Sequence, residues 1–316
     1  MSKEISKNIS RRFPGDICDI NGIIAGHSSD FTGRTGVSVV ICENGAVCGC
    51  KVRGAAPGTR ETDLASPESS TEKMHAVCLC GGSAFGLAAA TGVMTALEEK
   101  DIGFDVGIGV VPIVGGAVVF DLFEGDPKAR PTAQMGYDAT VSASRELSQG
   151  QIGAGTGATC GKLIPGWIPH RGGVGSSCVT LPSGAKVAAM VVVNAVGDVY
   201  DPTTGGLIAG GACDGLMRAA LPVLMGGGDV LSSINQNTTI GVVATNAKLD
   251  KAGANRLASL AHDGLALAIR PVHTSLDGDT IFALATNEVD ENPMLLQAAV
   301  VQATWQAVIN AVTTKY

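Results

Sequence analysis

The sequence predicts an α/β fold in which β-strands are covered by helices on both sides. Nearly continuous apolar runs of strand length, such as residues 187–193, alternate with segments whose apolar residues recur at helical spacing, such as residues 257–268. The composition agrees, because 43 glycines and only 16% charged residues in a chain of 316 favour closely packed layers. We therefore expect one domain, residues 1–316, with a layered α/β/β/α arrangement.

The first half of the chain contains four strand patterns and two helix patterns. The strands are predicted at residues 37–42, 46–52, 75–80 and 107–122, and the helices from residue 83 onward and at residues 137–147. Asn44-Gly45 between the first two strands is typical of a hairpin turn. Pro112 interrupts the fourth strand, and Ser83 is placed to cap the first helix.

In the second half, strands and helices are predicted in alternation. The strands are expected at residues 187–193, from Thr238 onward and at residues 280–286, and the helices at residues 257–268 and from Pro293 to the end. Asn292 and Pro293 form a typical helix start. The inner face of the last helix is expected to carry six apolar residues, which are Met294, Ala298, Val301, Trp305, Val308 and Val312.

Charge and hydropathy argue against two classes of partner. The formal net charge is −7 and no basic patch occurs, so a nucleic acid is not expected as a partner. The longest apolar candidate for a membrane span, residues 106–120, contains Pro112 and is too short to cross a bilayer. The first 16 residues have no apolar core and predict a polar arm. The nine cysteines form no CxxC pair, which is typical of buried, reduced thiols in a cytoplasmic protein.

Three local motifs fail on inspection. The glycine-rich run at residues 153–162 lacks the spacing of a phosphate loop, and the prolines that follow it exclude the helix of a dinucleotide site. The run Gly81-Gly82-Ser83-Ala84-Phe85 lacks the last glycine of a nucleophile elbow. The five histidines show no metal-binding spacing, and structural roles are expected for them, although His27 and His273 lie near other signals.

Five segments in order resemble a family of self-processing hydrolases. They are GHSSDFTGRTGVSVV, CLCGGSAFGL, GAGTGATCGK, VVVNAVGD and HTSLDGDTIFALAT, and they accompany NTTIGVVATNA around Thr238. The family contains D-aminopeptidase/esterases, β-peptidyl aminopeptidases and the nylon-oligomer (6-aminohexanoate-oligomer) hydrolase, and this chain resembles the last of these most. The resemblance runs from about Ile17 to Asp290 and implies an αββα sandwich like that of N-terminal-nucleophile hydrolases. Its connectivity would instead follow the D-aminopeptidase/esterase and ornithine acetyltransferase type.

By this resemblance, the chain cuts itself between Asn237 and Thr238 into fragments 1–237 and 238–316. The freed α-amine of Thr238 would serve as base for its own hydroxyl, so that one residue supplies nucleophile and base. Such an amine has an ordinary pKa of about 7.7–8.0, which suits a base near neutral pH. From the local residues alone, Thr238 and Thr239 are simply a β-branched pair that opens a strand.

The resemblance also assigns four further site residues. Lys162 follows the glycine-rich run and would lower the pKa of the Thr238 amine, although a surface lysine is the structural alternative. Asn194 ends an apolar strand and would donate to an oxyanion, or else cap a turn. Asp277 and Asp279 flank Gly278 and would hydrogen-bond Thr238, although Asp-Gly by itself indicates a turn.

The sequence therefore predicts a self-cleaving aminopeptidase or amidase. Its substrate would be a short peptide or a small ω-amino amide, and no metal or organic cofactor is expected. The resemblance also implies a homotetramer or a larger homo-oligomer. Two alternatives are an acyltransferase of the ornithine acetyltransferase type, whose Ala-Thr-Met-Leu signature is absent, and a non-catalytic binding protein on the same scaffold.

Overall fold

The computed structural model describes residues 12–229 and 237–314. The predicted polar arm lies largely in residues 1–11, outside the described residues. Within the described part, nine strands form one large mixed sheet. In chain order they are β1 (Ile23–Asp30), β2 (Thr35–Val52), β3 (Thr59–Arg60), β4 (Lys73–Cys80), β5 (Val114–Val118), β6 (Gly173–Thr180), β7 (Lys186–Asn194), β8 (Thr238–Ala247) and β9 (Thr280–Val289).

The remaining elements are helices and short strand pairs. The α-helices are α1 (Ala89–Glu98), α2 (Ala133–Val141), α3 (Ala220–Met225), α4 (Lys251–Ala268) and α5 (Pro293–Thr313), and 3₁₀ turns lie at Ile17–Asp19, Ser83–Ala88 and Gly153–Gly155. Short strands outside the large sheet lie at Phe104–Asp105, Val110–Val111, Thr159–Cys160, His170–Arg171, Asp198–Tyr200, Leu207–Ala209, Ala212–Cys213, Leu216–Met217 and Ile269–Arg270.

The order of the large sheet places the strand of Thr238 near its middle. The strands follow the order β6-β7-β8-β9-β2-β4-β5-β3, and β1 pairs with β2. β8 is antiparallel to β7 and parallel to β9, while β9 is antiparallel to β2. Every residue of β8 is buried. The segment that begins at Thr238 is therefore an integral part of the sheet.

Three large apolar clusters build the core, and a fourth, much smaller one lies around Val196. Alternate residues of β7 divide between two of them, because successive side chains of a strand point to opposite faces. Val191 and Val193 join the cluster that contains α4 and α5, whereas Met190 and Val192 join a cluster shared with β1, β2 and β4. The third cluster packs the other face of β2 and β4 against α1 and α2. The fold is thus mixed α/β, with helices packed against the strands of the large sheet.

Most strands and helices predicted from periodicity are confirmed. β4, β7, β8 and β9 match their apolar runs to within a few residues, and α4 and α5 match the helical patterns. Asn292 caps α5 as expected, because its side chain accepts the Met294 N–H at 2.9 Å. Met294 itself is exposed and does not lie on the inner face.

Three local predictions are wrong. Residues 37–52 do not form a hairpin, because the first half of β2 pairs with β1 and β4 while its second half pairs with β9. Gly45 supplies only a bulge, with a φ of +67°. Ser83 does not cap the first helix, since Gly82 precedes a 3₁₀ turn there and α1 begins at Ala89. The helix expected at residues 137–147 lies earlier, at Ala133–Val141.

The search for apolar spans missed the last helix. α5 contains no charged residue and is long and apolar enough by composition to cross a membrane. In the structure, 61% of its most apolar window is buried, against β6, β7 and α4. Burial of this kind is typical of a core helix in a globular domain.

Candidate active site

The hydroxyl of Thr238 is hydrogen-bonded to the carbonyl oxygen of Asn237, the residue before it. Thr238 is the first residue of β8, and its Oγ1 donates a short hydrogen bond to the carbonyl oxygen of Asn237. The same oxygen accepts the N–H of Gly278 at 3.1 Å. Asn237 and Thr238 are both buried. A hydroxyl beside this carbonyl, together with a fixed N–H donor, is the arrangement that attack on the Asn237–Thr238 peptide requires.

The register of the sheet brings Asn194 opposite Thr238. The two residues are Cα partners in the antiparallel pair of β7 and β8, at the point where β7 ends and β8 begins. Asn194 is fully buried, and its Nδ2 donates to the carbonyl oxygen of Phe120 at 2.9 Å. Its Oδ1 accepts the N–H of Thr159 at 3.1 Å. The alternative role of Asn194, a simple turn cap, does not fit these contacts, since Asn194 bridges segments that are distant in sequence.

Lys162 reaches the same asparagine. Its Nζ donates to the Oδ1 of Asn194 at 3.0 Å and to the backbone oxygen of Asn194 at 3.2 Å. Burial lowers the pKa of Lys162 to about 8, an effect that Cys160 and the neighbouring carboxylates partly oppose. Gly161, the residue before it, packs closely on the backbone of Gly211: it has a φ of +73°, and an added Cβ would lie 2.3 Å from the Gly211 nitrogen. Lys162 is thus partly buried in the site and is no simple surface lysine.

The loop of Asp277 and Asp279 lies beside the Asn237–Thr238 peptide, but the carboxylates have other partners than expected. Asn237 and Asp277 form a parallel bridge, so the backbone of the loop faces the peptide and its carboxylates point elsewhere. Asp277 accepts the N–H of Thr274 at 2.8 Å and its hydroxyl at 2.6 Å. Among the described residues of this uncut chain, neither carboxylate hydrogen-bonds Thr238, and the predicted bonds to its freed amine stay a prediction. Gly278 makes the close contact instead.

Asp279 binds the residue after Thr238. Its Oδ1 accepts the N–H of Thr239 at 2.6 Å, and its Oδ2 lies 2.7 Å from Nδ1 of His273. Asp277 differs, because burial and the neighbouring Asp279 raise its pKa to about 6. The two carboxylates are thus in unequal environments, one held by three N–H groups and the other made hard to ionise.

A cleft of about 250 Å³ opens beside Thr238. Its described lining is mostly small or apolar and consists of Ala56, Pro57, Gly58, Ser83, Ala84, Val118, Phe120, Asn237, Thr238 and Leu276. Among these residues, none carries a charge. The cleft can therefore hold a small uncharged group with its amide against the Thr238 hydroxyl.

Ser83 is a cleft residue that the sequence search passed over. The discarded run of residues 81–85 does turn sharply from β4 into a helical segment, with φ angles of +76° at Gly82 and +54° at Ser83. Asp121, deeply buried, fixes this turn by accepting the Gly82 N–H at 2.7 Å and the Thr35 hydroxyl at 2.7 Å. Burial raises the pKa of Asp121. The run lacks the last glycine of a nucleophile elbow, yet it still forms the left-handed turn.

Within residues 12–229 and 237–314, no group of three histidine, cysteine, aspartate or glutamate side chains is placed to hold a metal ion. All nine cysteines are free thiols. The site brings together the hydroxyl of Thr238, the amide of Asn194, the amine of Lys162 and, in the adjoining loop, the carboxylates of Asp277 and Asp279.

Comparisons with known proteins agree with this chemistry. A model described as peptidase family S58 matches residues 15–315. An uncharacterized aminopeptidase of Mycobacterium leprae is 47% identical over 293 residues, covering 87% of this chain and 79% of the relative. A 6-aminohexanoate-oligomer endohydrolase of Kocuria sp. is 30% identical over 313 residues, covering 93% and 84%.

A solved structure shows a similar fold at low sequence identity. It is an L-aminopeptidase D-Ala-esterase/amidase from Ochrobactrum anthropi, described as a new variant among the Ntn hydrolase fold. The TM-score is 0.71 at 17% identity, covering 94% of this chain and 85% of that one.

Proposed function

This chain belongs to peptidase family S58 and is a hydrolase, and we propose that it activates itself by cleavage between Asn237 and Thr238. The mature enzyme, fragments 1–237 and 238–316, would then hydrolyse an amide of a short peptide or of a small ω-amino amide. One observation carries the proposal: the Thr238 hydroxyl and the Gly278 N–H meet on the same carbonyl oxygen of Asn237.

Self-cleavage would proceed by an acyl shift from nitrogen to oxygen. The Oγ1 of Thr238 attacks the carbonyl carbon of Asn237, and the hydroxyl proton passes to the departing peptide nitrogen. The Gly278 N–H stabilises the negative charge that develops on the carbonyl oxygen. The C–N bond breaks and leaves an ester between Asn237 and the threonine oxygen. Water then hydrolyses the ester, which gives a carboxylate on Asn237 and a free amine on Thr238.

Turnover would use the freed residue twice. The α-amine of Thr238 removes the proton from its own hydroxyl as that oxygen attacks the substrate carbonyl. A neighbouring ammonium favours the neutral form of this amine, and Lys162 is the candidate because its Nζ binds Asn194, the strand partner of Thr238. Asn194 would supply an N–H to the oxyanion of the tetrahedral intermediates that precede and follow the acyl-enzyme. Water finally releases the acid and restores the threonine.

The names of the relatives support two substrate classes. An aminopeptidase removes the first residue of a peptide, and a 6-aminohexanoate-oligomer endohydrolase cuts an internal amide of an ω-amino acid oligomer. The small, uncharged lining around Thr238 suits either a small side chain or a methylene chain on the acyl side. We propose that the acyl group of the substrate lies in this cleft.

The three apolar clusters suggest the finer architecture and the assembly. We propose that they are the three interfaces of a four-layer αββα sandwich, with α4 and α5 outside one strand layer and α1 and α2 outside the other. We also propose a cytoplasmic homo-oligomer of four or more copies. Its support is the segment at residues 104–111, which exposes several large apolar side chains, with Ile108 99% exposed.

The mass of the purified protein tests the proposal before any substrate is known. By proportion of the 31.9 kDa chain, cleavage should give associated fragments of roughly 24 and roughly 8 kDa. The smaller fragment should begin with Thr238. A single full-length chain that still hydrolyses amides would contradict the proposal.

A further inference from the structure

His273 and Asp279 form a connected pair behind the nucleophile. The Oδ2 of Asp279 lies 2.7 Å from the Nδ1 of His273 and also accepts the His273 N–H at 3.1 Å. The Oδ1 of the same carboxylate accepts the N–H of Thr239 at 2.6 Å. Both His273 and Asp279 are largely shielded from solvent. A chain of hydrogen bonds therefore joins the histidine to the backbone next to Thr238.

These hydrogen bonds matter because of where the Thr239 amide lies in the sheet. On one side, Thr239 pairs with Val193 of β7. On the other side, pairing with β9 begins only at Ile240, which faces Thr280. The Asp279 carboxylate thus takes the place of a strand neighbour at the end of the ladder. Without it, a buried N–H next to the nucleophile would lack an acceptor.

We propose that His273 is a positioning residue that acts through Asp279 to hold the start of the small fragment in place. The inference rests on the proposed self-cleavage, because the cut turns Thr238 into a chain terminus. The ends of strands fray when nothing secures them. After the cut, the Thr239 N–H on Asp279 is the side-chain anchor nearest to the nucleophile.

The surroundings of His273 hold its ring in one orientation. The residue has a φ of +58°, and in this left-handed conformation both its backbone N–H and its ring reach the same oxygen of Asp279. The ring meets that of His262 edge-on, with centroids 4.8 Å apart. His262 belongs to α4 and is itself fixed by the carbonyl of Lys51 at 2.8 Å. Burial lowers the pKa of His262 to about 4, so the His262 ring is neutral near neutral pH.

Two substitutions separate the bond to Asp279 from the other contacts of the ring. His273→Asn places an amide nitrogen near the position of Nδ1 and tolerates a positive φ. His273→Gln places its amide nearer the position of Nε2, which faces the His262 carbonyl at 3.4 Å. We expect the asparagine variant to keep cleavage and kcat within about threefold of wild type, whereas the glutamine variant loses at least about tenfold in both, with a small change in KM.

A double-mutant cycle identifies the route of the effect. If His273 acts through Asp279, adding His273→Gln to Asp279→Asn should cause little further loss of kcat. Additive losses would overturn the proposal, as would equal losses in the asparagine and glutamine variants at matched melting temperatures. If either single variant fails to fold, His273→Ala with and without Asp279→Asn supplies the same test.

Failure of the underlying function would be recognised separately. A wild-type chain that is uncut and inactive contradicts self-cleavage, and the positioning role of His273 then falls with it. A wild-type chain that is cut and active, with a glutamine variant that matches it, overturns only the role of His273.

Discussion

Two buried aspartates, Asp279 and Asp121, accept backbone N–H groups at two parts of the same cleft. Each of these N–H groups lies next to a hydroxyl residue, and the two hydroxyls differ in their hydrogen bonding. Asp279 holds the N–H of Thr239, next to the hydroxyl of Thr238. Asp121 holds the N–H of Gly82, next to the hydroxyl of Ser83. The Thr238 hydroxyl donates to the carbonyl of its own chain, whereas the Ser83 hydroxyl has no hydrogen-bond partner among the residues that the structure describes.

From this difference we expect Thr238 to take part in the reaction and Ser83 to take part in binding the substrate. A hydroxyl already placed on a peptide carbonyl is set for reaction with the chain itself. A hydroxyl left unpaired in a cleft is available to a bound molecule. Substitutions near Thr238 should therefore impair both self-cleavage and turnover, whereas substitutions at Ser83 should impair turnover alone.

The largest effect is expected at Thr238. Thr238→Ala should remain one chain and be inactive, because it lacks both the hydroxyl and the liberated amine. Thr238→Ser should still cut, although more slowly. Thr239→Ala should also cut, because the buried Thr239 hydroxyl makes no hydrogen bond in the described structure and the backbone N–H is retained. Intact mass and sequencing of the small fragment check these outcomes, and a first residue of Thr239 would contradict them.

Asn194 should show the next largest effect. Asn194→Ala is expected to lower kcat by about a hundredfold or more, with a smaller change in KM. Asn194→Asp is the matched control, since it keeps an acceptor for Thr159 and Lys162 but loses the N–H donors. Steady-state kinetics on the cut enzyme decide between the two roles. Near-normal kcat in the aspartate variant would remove the donor from the mechanism.

Lys162→Met should reduce cleavage and turnover by roughly tenfold, because the Thr238 amine loses its neighbouring cation. The substitution also has a pH signature in stability. Burial lowers the pKa of Lys162 from 10.5 to about 8 in the folded state, so the unfolded chain binds more protons between these values. Wild-type stability should therefore rise relative to the variant as the pH goes from 8 to 10.5. Melting temperatures measured across this range test the sign, and an unchanged difference would place the ammonium outside the buried site.

The smallest effect is expected at Ser83. Ser83→Ala and Ser83→Gly should cleave normally but lose roughly three- to tenfold in kcat/KM, the range of one lost hydrogen bond of about 1 kcal/mol. Glycine also relieves the positive φ, so it should be the more stable of the two variants. Full activity in the glycine variant alone would mean that backbone strain, and not the hydroxyl, limits turnover.

The sequence identified the residues of the site better than their contacts. Thr238 and Asn194 were selected through the family resemblance, and each stands at one end of an apolar strand. Their pairing depends on how distant strands align, which the sequence does not specify. Gly278 escaped notice because it acts through a backbone N–H, which every residue except proline possesses.

Local turn signals were the weakest guide to the fold. Asn44-Gly45 has the composition of a hairpin, yet the two halves of β2 find better partners in β1, β4 and β9 than in each other. At residues 81–83 a turn forms although the sequence does not match the expected motif. The sequence departs from the elbow spacing, while a buried aspartate far along the chain imposes the left-handed turn.

The central position of β8 and β9 gives maturation a consequence for refolding. Before the cut, the sheet reassembles from one chain, so recovery from denaturant should not depend on protein concentration. After the cut, β8 must find β7 and β9 must find β2 from a separate molecule, which makes refolding a second-order reaction. The fraction of mature protein that regains its protomer fold, followed by far-UV circular dichroism, should then fall on dilution, while Thr238→Ala, whose protomer is one chain, regains that fold equally at all concentrations. Self-cleavage would thus supply the nucleophile and, in the same step, make unfolding hard to reverse.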